Sequence, residues 1–259
     1  VGRTQQGELT TVKTVNEQAA SYSKGTNQWR KFHFESTLNY DRTFAEDHRT
    51  SALVYYYMSD EKASADATTN MNAIPKRYQG LSARLTYGFR DTYMIDVNFG
   101  YTGSENFQPG RRFGFFPSVA LGWVPTQYEF MKNAKWLNFL KIRASYGTVG
   151  NDRIANKRFP YLTIVNRGSN SPWGSTSQET LIESYIGADN LEWEVATKFD
   201  LGIEGKLFDN RIDFVVDFFN DVRTGIYQRR VQVPSYVGLT SMPFSNVGEM
   251  RSYGADGNI

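Results

Sequence analysis

Residues 81–101 read LSARLTYGFRDTYMIDVNFGY. In its first half, Leu81, Ala83, Leu85, Tyr87 and Phe89 fall on one face and Ser82, Arg84, Thr86, Gly88 and Arg90 on the other. After a tight turn at Arg90–Asp91, Tyr93, Ile95, Val97, Phe99 and Tyr101 share a face, opposed by Thr92, Asp96, Asn98, Gly100 and Thr102. Successive strand side chains point to opposite sides, so this is period-two alternation over two long strands. Ordinary strands run about 5–6 residues, whereas a tilted strand crossing a bilayer needs about 9–11. The polar face carries Arg84 and Asp96 as well as small residues, which suits a wet lumen behind an apolar outer wall.

The same pattern extends in both directions. Lys31–Tyr40 sets Phe32, Phe34, Leu38 and Tyr40 against Lys31, His33, Glu35 and Asn39, and Ser51–Met58 is apolar on both faces. Downstream, Phe115–Val124, Phe139–Tyr146, Val195–Leu207 and Arg211–Phe219 alternate in turn, Glu8–Val15 is a further candidate, and Arg251–Ile259 begins like another strand. The connections alternate as strictly. Asp41–Thr50, Arg90–Asp91, Pro125–Asn138 (with room for one short helix over Tyr128–Lys135) and Phe208–Asn210 are short; Ser59–Gly80, Thr102–Gly114, Gly147–Glu194 and Asp221–Met250 are long. An outer-membrane barrel has short periplasmic turns and long extracellular loops. Aromatics at strand ends fit the interfacial belts: Tyr87, Phe89, Tyr93, Trp123 and Phe208 at the short turns, Tyr101 and Tyr146 at the far ends.

These features predict an all-β, antiparallel, up-and-down transmembrane β-barrel wall, with residues 1–259 forming a single barrel segment. The outward set is expected to include Leu85, Ile95, Val97, Phe99, Leu201, Ile203, Phe214 and Val216. A soluble carbohydrate-binding β-sandwich or surface adhesin shares the alternation but turns its apolar faces into a core; a passive porin is a third reading. Composition narrows the field. With 29 basic and 27 acidic residues no global field favours nucleic acid, and with no Cys there is no disulfide or thiol chemistry. No run of about 18 apolar residues exists to form a transmembrane helix.

Several segments, in order and spacing, resemble the SusC/RagA family of TonB-linked outer-membrane transporters: RFGFFPSVALGW at 112–123, EFMK at 129–132, LKIRASYGTVGN at 140–151, NLEWEVATKFDLGIEGKLFDN at 190–210 followed by RIDFVVDFFN, and NVGEMRSYG at 246–254. The resemblance covers roughly residues 30–259. It implies a barrel of about 22 strands with a plug inside its lumen, of which this chain would supply about nine as an internal piece of a longer polypeptide, without plug or TonB-contacting region. It further implies a SusD-like surface lipoprotein as a hinged lid, energy delivered through TonB, a glycan or peptide substrate, outer-membrane lipid around the wall, and no nucleic-acid partner and no cofactor.

Catalysis finds little support in the residues. His33 and His48 are the only histidines, no metal-ligand spacing or nucleophile motif is present, and carboxylates such as Asp213 and Asp217 read as cross-strand ion-pair partners of the neighbouring strand's Lys198, Asp200 and Glu204 face. Neither a catalytic nor a metal residue is therefore assigned. Gly122, Gly147 and Gly202 lie on polar faces, where another chain segment has room to approach, and Trp193 reads as an interface anchor. Candidate substrate or lid contacts lie in the long loops, where planar polar groups and aromatic faces cluster: Arg153, Arg158, Tyr161, Trp173 and Tyr185 with Asn170 in the first, Tyr227, Arg229, Arg230 and Tyr236 in the second.

Overall fold

The computed structural model describes residues 2–3, 6–10, 22, 24–63, 71, 73–134, 136–153, 158–231, 234–239 and 241–259. Among these, nine long strands form one sheet: β1 (Trp29–Phe44), β2 (His48–Ala63), β3 (Lys76–Phe89), β4 (Tyr93–Ser104), β5 (Phe113–Trp123), β6 (Leu137–Asn151), β7 (Glu194–Leu207), β8 (Ile212–Arg229) and β9 (Phe244–Asn258). Each pairs antiparallel with its neighbours in sequence, so the sheet is a pure meander with β1 and β9 at its edges and is not closed into a ring. The architecture is the one read from the alternation, a stretch of barrel wall.

The strands run past the predicted ends. β1 spans Trp29–Phe44 where Lys31–Tyr40 was expected, and Ser51–Met58 grows to His48–Ala63. The backbone ladder goes on pairing beyond the stretch where apolar and polar residues alternate. Tyr146, expected at a strand end, consequently sits mid-wall beside Val119 and Phe199. The Gly147–Glu194 loop also contains strands. Ile164–Arg167 pairs with Leu181–Tyr185, and Ser171–Trp173 with Thr176–Gln178 beyond it. Of the candidate Glu8–Val15, Leu9–Thr10 pairs with Gly2–Arg3, and residues 11–15 lie outside the described residues.

Register places the two faces. Leu85, Val97, Val119, Tyr146 and Phe199 form one cross-strand row. Tyr87, Ile95, Leu121, Ala144, Leu201 and Phe218 form the next, and Phe89, Tyr93, Trp123, Ile142, Ile203 and Val216 a third. All eight residues assigned outward share this face. The apolar rows cover no core: Leu121 is 52% and Phe115 58% exposed. A sandwich would bury them against a second sheet.

At the short-turn end, left-handed residues close the hairpins: Ala45 and Glu46, Arg90 and Asp91, and Phe208, Asp209 and Asn210, with φ between 47° and 63°. Paired positive φ gives the primed twist that strands favour, here without glycine and at a cost on the order of 1 kcal/mol per residue. Pro125–Gln127 forms a short 3₁₀ turn and Glu129–Lys132 one helical turn, within the predicted span apart from its ends. Neighbouring turns are tied together. Arg90 N donates to Asp47 O at 2.9 Å, Val124 N to Thr92 O at 2.8 Å and Phe208 N to Trp136 O at 2.9 Å.

The apolar core of the described residues lies at the long-loop end. Phe107 and Leu191 are fully buried with Ala188, and Tyr161, Trp193 and Tyr227 pack against them. Phe107 stacks on Trp193 at 4.7 Å, and Phe116 meets the indole edge-on at 5.2 Å. Trp193 is thus a loop-core residue, which corrects its reading as a membrane-interface anchor: the chain turns at Asp189–Asn190 just before β7, and the Trp193 ring stacks on Phe107. Asn246 closes the cluster, its Nδ2 donating to Glu192 O at 2.9 Å and Gly225 O at 2.7 Å, its Oδ1 accepting from Glu192 N at 3.1 Å. Gly225 is a bulge residue at φ +68°, where a side chain would be strained. Arg158 joins three loops, donating to Met71 O and Pro75 O at 3.1 Å each, to Ile74 O, and to the Glu105 carboxylate, with its side chain 15% exposed.

Two outcomes are expected. Val97→Arg, on the outward face, should lower stability in lipid by about 2–4 kcal/mol, and Asn98→Arg, on the opposite face, by much less; urea titration of the receptor in bilayers measures the difference, and equal costs would reverse the face assignment. Arg158→Ala should leave three carbonyls and a carboxylate without their donor, a local loss of about 3 kcal/mol. Hydrogen exchange should then rise sharply over residues 73–79 and 105–112 and stay unchanged near Asp209.

Candidate lumenal site

The inward face is built from the opposite parity. Gly88, Met94, Gly122, Arg143, Gly202 and Asp217 form one cross-strand row, and Thr86, Asp96, Ala120, Ser145, Asp200 and Phe219 the next. Charges here are paired across strands. The Arg143 guanidinium donates from Nε to Glu204 at 2.9 Å, from Nη1 to Asp200 at 3.1 Å and from Nη2 to Asp217 at 2.5 Å. It reaches Asp217, two strands away, because Gly202 lies between; a Cβ there would stand 2.3 Å from Asp217 Oδ1 and 2.7 Å from Arg143 Cζ. The expected room beside this glycine is taken by side chains of the wall itself. Lys141–Glu204 at 3.7 Å, Lys198–Asp221 at 3.3 Å, Lys206–Asp213 at 3.4 Å and Arg84 Nε–Asp96 at 3.0 Å continue the pattern. Asp213 and Asp217 are therefore ion-pair partners, as their spacing predicts. Exposed pairs of this kind contribute little each; their effect is a neutral, hydrated inner wall.

Toward the long loops the inner wall becomes aromatic. Tyr55 stacks on Tyr57 at 5.7 Å and donates to Glu35 at 3.0 Å, which also meets His33 at 3.3 Å. The Tyr57 ring lies across Gly80, where a Cβ would come within 2.6 Å of it. The β5–β6 ladder ends at Ser118–Gly147, and above it the Phe116 ring lies against both Gly114 and Gly150. Together Tyr57, Tyr78, Phe116, Trp193 and Asp152 border a recess of about 450 Å³. The Trp193 Nε1 is buried without an acceptor among the described residues. A larger cavity of about 640 Å³ lies at the loop ends of β1–β5, bordered by Tyr78 and Tyr161 and by Phe32, Asp60, Arg77 and Phe113, which carry the outward parity; Asp60 and Arg77 pair at 2.8 Å on its wall.

The residues expected in the long loops divide into two groups, and two of them, Tyr227 and Arg229, lie in β8, because that strand runs on to Arg229 and the expected Asp221–Met250 loop shrinks to residues 230–243. Arg158, Tyr161, Tyr185 and Tyr227 hold loops to one another. Tyr185 OH donates to Pro160 O at 3.0 Å and lies 2.6 Å from Tyr227 OH, and burial, with that bond, pushes the Tyr227 phenol well above its ordinary value. Arg153, Trp173, Arg229, Arg230 and Tyr236 are exposed. Trp173 tops the hairpin of the first loop, Arg229 lies over the Phe244 ring at 5.8 Å, and Arg230 N donates to Pro243 O at 2.9 Å. The wall residues Tyr57, Phe116 and Asp152 were not singled out. For the two aromatics the signal is inward parity beside a glycine, Tyr57 facing Gly80 and Phe116 facing Gly100; Asp152, one residue past the end of β6, carries no such signal.

Comparison with known proteins agrees with this geometry. A family profile described as TonB dependent receptor-like, beta-barrel matches residues 3–259. TonB-dependent receptor P39 of Formosa agariphila is 27% identical over 256 residues, 90% of this chain and 24% of that receptor. SusC of Bacteroides thetaiotaomicron is 28% identical over 180 residues, 68% of this chain and 18% of SusC. The chain thus spans about a quarter or less of these two relatives. Among solved structures, the RagAB peptide importer in its closed-closed state superposes with a TM-score of 0.69 at 23% identity, covering 89% of this chain and 28% of that one. The siderophore receptor PirA of Pseudomonas aeruginosa follows at 0.54 and 13% over 89% of this chain and 39% of that one. These likenesses to solved structures carry the fold alone, and the profile covers nearly the whole sequence: the chain belongs to the TonB-dependent receptor-like β-barrel family.

Proposed function

We propose that this chain is part of the wall of a SusC-like active importer in the bacterial outer membrane. The importer takes up glycans or other oligomeric nutrients such as peptides, with a SusD-like surface lipoprotein as its lid and TonB as its energy source. The observation that carries this reading is the two-faced sheet, with apolar rows over no core on one side and paired charges on the other. Such a wall is stable only with lipid outside and water inside. Segments matched in SusC and in a RagAB importer support the class of machine. The wall's part is positioning rather than covalent chemistry. Its exposed residues Arg153, Trp173, Arg230 and Tyr236 of the loops and Arg229 at the end of β8 meet the lid or the substrate, while Arg158, Tyr161, Tyr185 and Tyr227 set the shape of the rim they stand on.

Because the sequence has no Cys, single cysteines can be placed in it as reporters. A membrane-impermeant maleimide added to intact cells should label Trp173→Cys and Tyr236→Cys but not Asp209→Cys; labelling at Asp209 alone would invert the topology. Deletion of the receptor should abolish uptake of a defined set of oligomeric nutrients, and dissipating the inner-membrane potential should do the same with the receptor present. Uptake independent of that potential would make the protein a passive pore.

A further inference from the structure

We propose that the recess bordered by Tyr57, Tyr78, Phe116, Trp193 and Asp152 binds a cationic group, the basic side chain of a peptide on its way through the lumen; this rests on the import reading above. Four aromatic residues form the walls, and ring faces carry the negative lobe of the aromatic quadrupole. The rings are set into the wall by glycines. Tyr57 lies across Gly80, and Phe116 against Gly114 and Gly150, positions where any Cβ would collide with them.

Charge decides between possible occupants. Asp152 is half-buried, and no Arg, Lys or His borders the recess. Deeper in the lumen several carboxylates already face cations: Asp96 meets Arg84, Asp200, Glu204 and Asp217 meet Arg143, and Asp221 meets Lys198. The Asp152 carboxylate has no ion pair among the described residues, and only its backbone carbonyl is engaged, accepting from Asn106 at 3.1 Å. Its field reaches Tyr78: burial and then the Asp152 charge raise that phenol above its ordinary value, against smaller opposing effects of Arg153 and Arg158, which stand outside the recess lining. An aromatic enclosure with one carboxylate that makes no ion pair among the described residues attracts a guanidinium or ammonium through both effects at once. A neutral sugar would use the rings but leave the charge unmatched. The larger cavity at the loop ends does not compete, because Phe32, Asp60, Arg77 and Phe113 of its lining carry the outward parity and Asp60 and Arg77 neutralise each other.

The test uses the complete receptor purified in detergent and three probes: acetyl-Gly-Gly-Arg-Gly-Gly-amide, the same peptide with neutral citrulline for arginine, and maltoheptaose. Calorimetry should show the arginine peptide binding at least tenfold more tightly than the citrulline peptide. Asp152→Asn should abolish that difference, and Asp152→Glu should keep most of it. Equal affinity for the two peptides, a preference that survives Asp152→Asn, or displacement of the arginine peptide by maltoheptaose would each overturn the proposal. Nutrient uptake by cells separates this from failure of the importer reading. If receptor-dependent uptake persists while the peptides bind alike, only the cationic site falls; if the receptor supports no energised uptake, the importer reading falls with it.

Discussion

A backbone amide in hydrocarbon has no water to bond, and the rest of the wall follows from that constraint. Each strand must find its partner in a neighbouring strand along its whole buried length, which requires long strands, sequential pairing and a meander. Side chains then sort by parity alone. Apolar rows such as Leu85–Val97–Val119 take the lipid side, and the other parity is left to carry polar and charged groups. A soluble domain draws its stability from a core between layers. Here the midsection of the sheet has none, and the apolar core of the described residues lies in the loops that stand above the wall.

That loop core accounts for the family motifs. Leu191 and Trp193 of the NLEWE stretch pack with Phe107, and Glu192 bonds both to Arg111 and to Asn246, the first residue of the NVGEM stretch. Two segments more than fifty residues apart in sequence thus close on each other at the top of β7–β9. Arg158 plays the corresponding part for β2–β5, through backbone carbonyls and one carboxylate. Rigid loop bases of this kind let the exposed tips vary while the rim keeps its shape.

Much of this was legible in the sequence, for a physical reason. Period-two alternation marks the segments where the two sides of a strand meet different solvents, so Leu81–Phe89 and Tyr93–Tyr101 could be read almost residue by residue. The same signal vanishes where both sides meet water, and there the readings fell short: the outer ends of β1 and β2, and the hairpin carrying Trp173. Trp193 was misplaced because an aromatic near a strand end resembles an interface anchor unless the chain's turn toward Phe107 is known. Arg158 shows the complementary difficulty. Its charge suggested a ligand contact, and nothing local in sequence indicates that its acceptors are carbonyls more than eighty residues away.

The bonds that join neighbouring short turns bear on how such a wall assembles. A slip of one residue between two strands would exchange their lipid and lumen faces and is opposed all along the wall. A slip of two residues keeps the faces, and along most of the wall little opposes it, since one apolar row resembles the next. The turns are different, because Arg90 with Asp47, Val124 with Thr92 and Phe208 with Trp136 fit in one alignment only. They act as the zero mark of a ruler, from which every row above is counted. Each hairpin can close on its own and then be indexed to its neighbour at the short-turn rim. A large β-structure of this kind can therefore be built from contacts close in sequence, in chain order, without a search among distant strands.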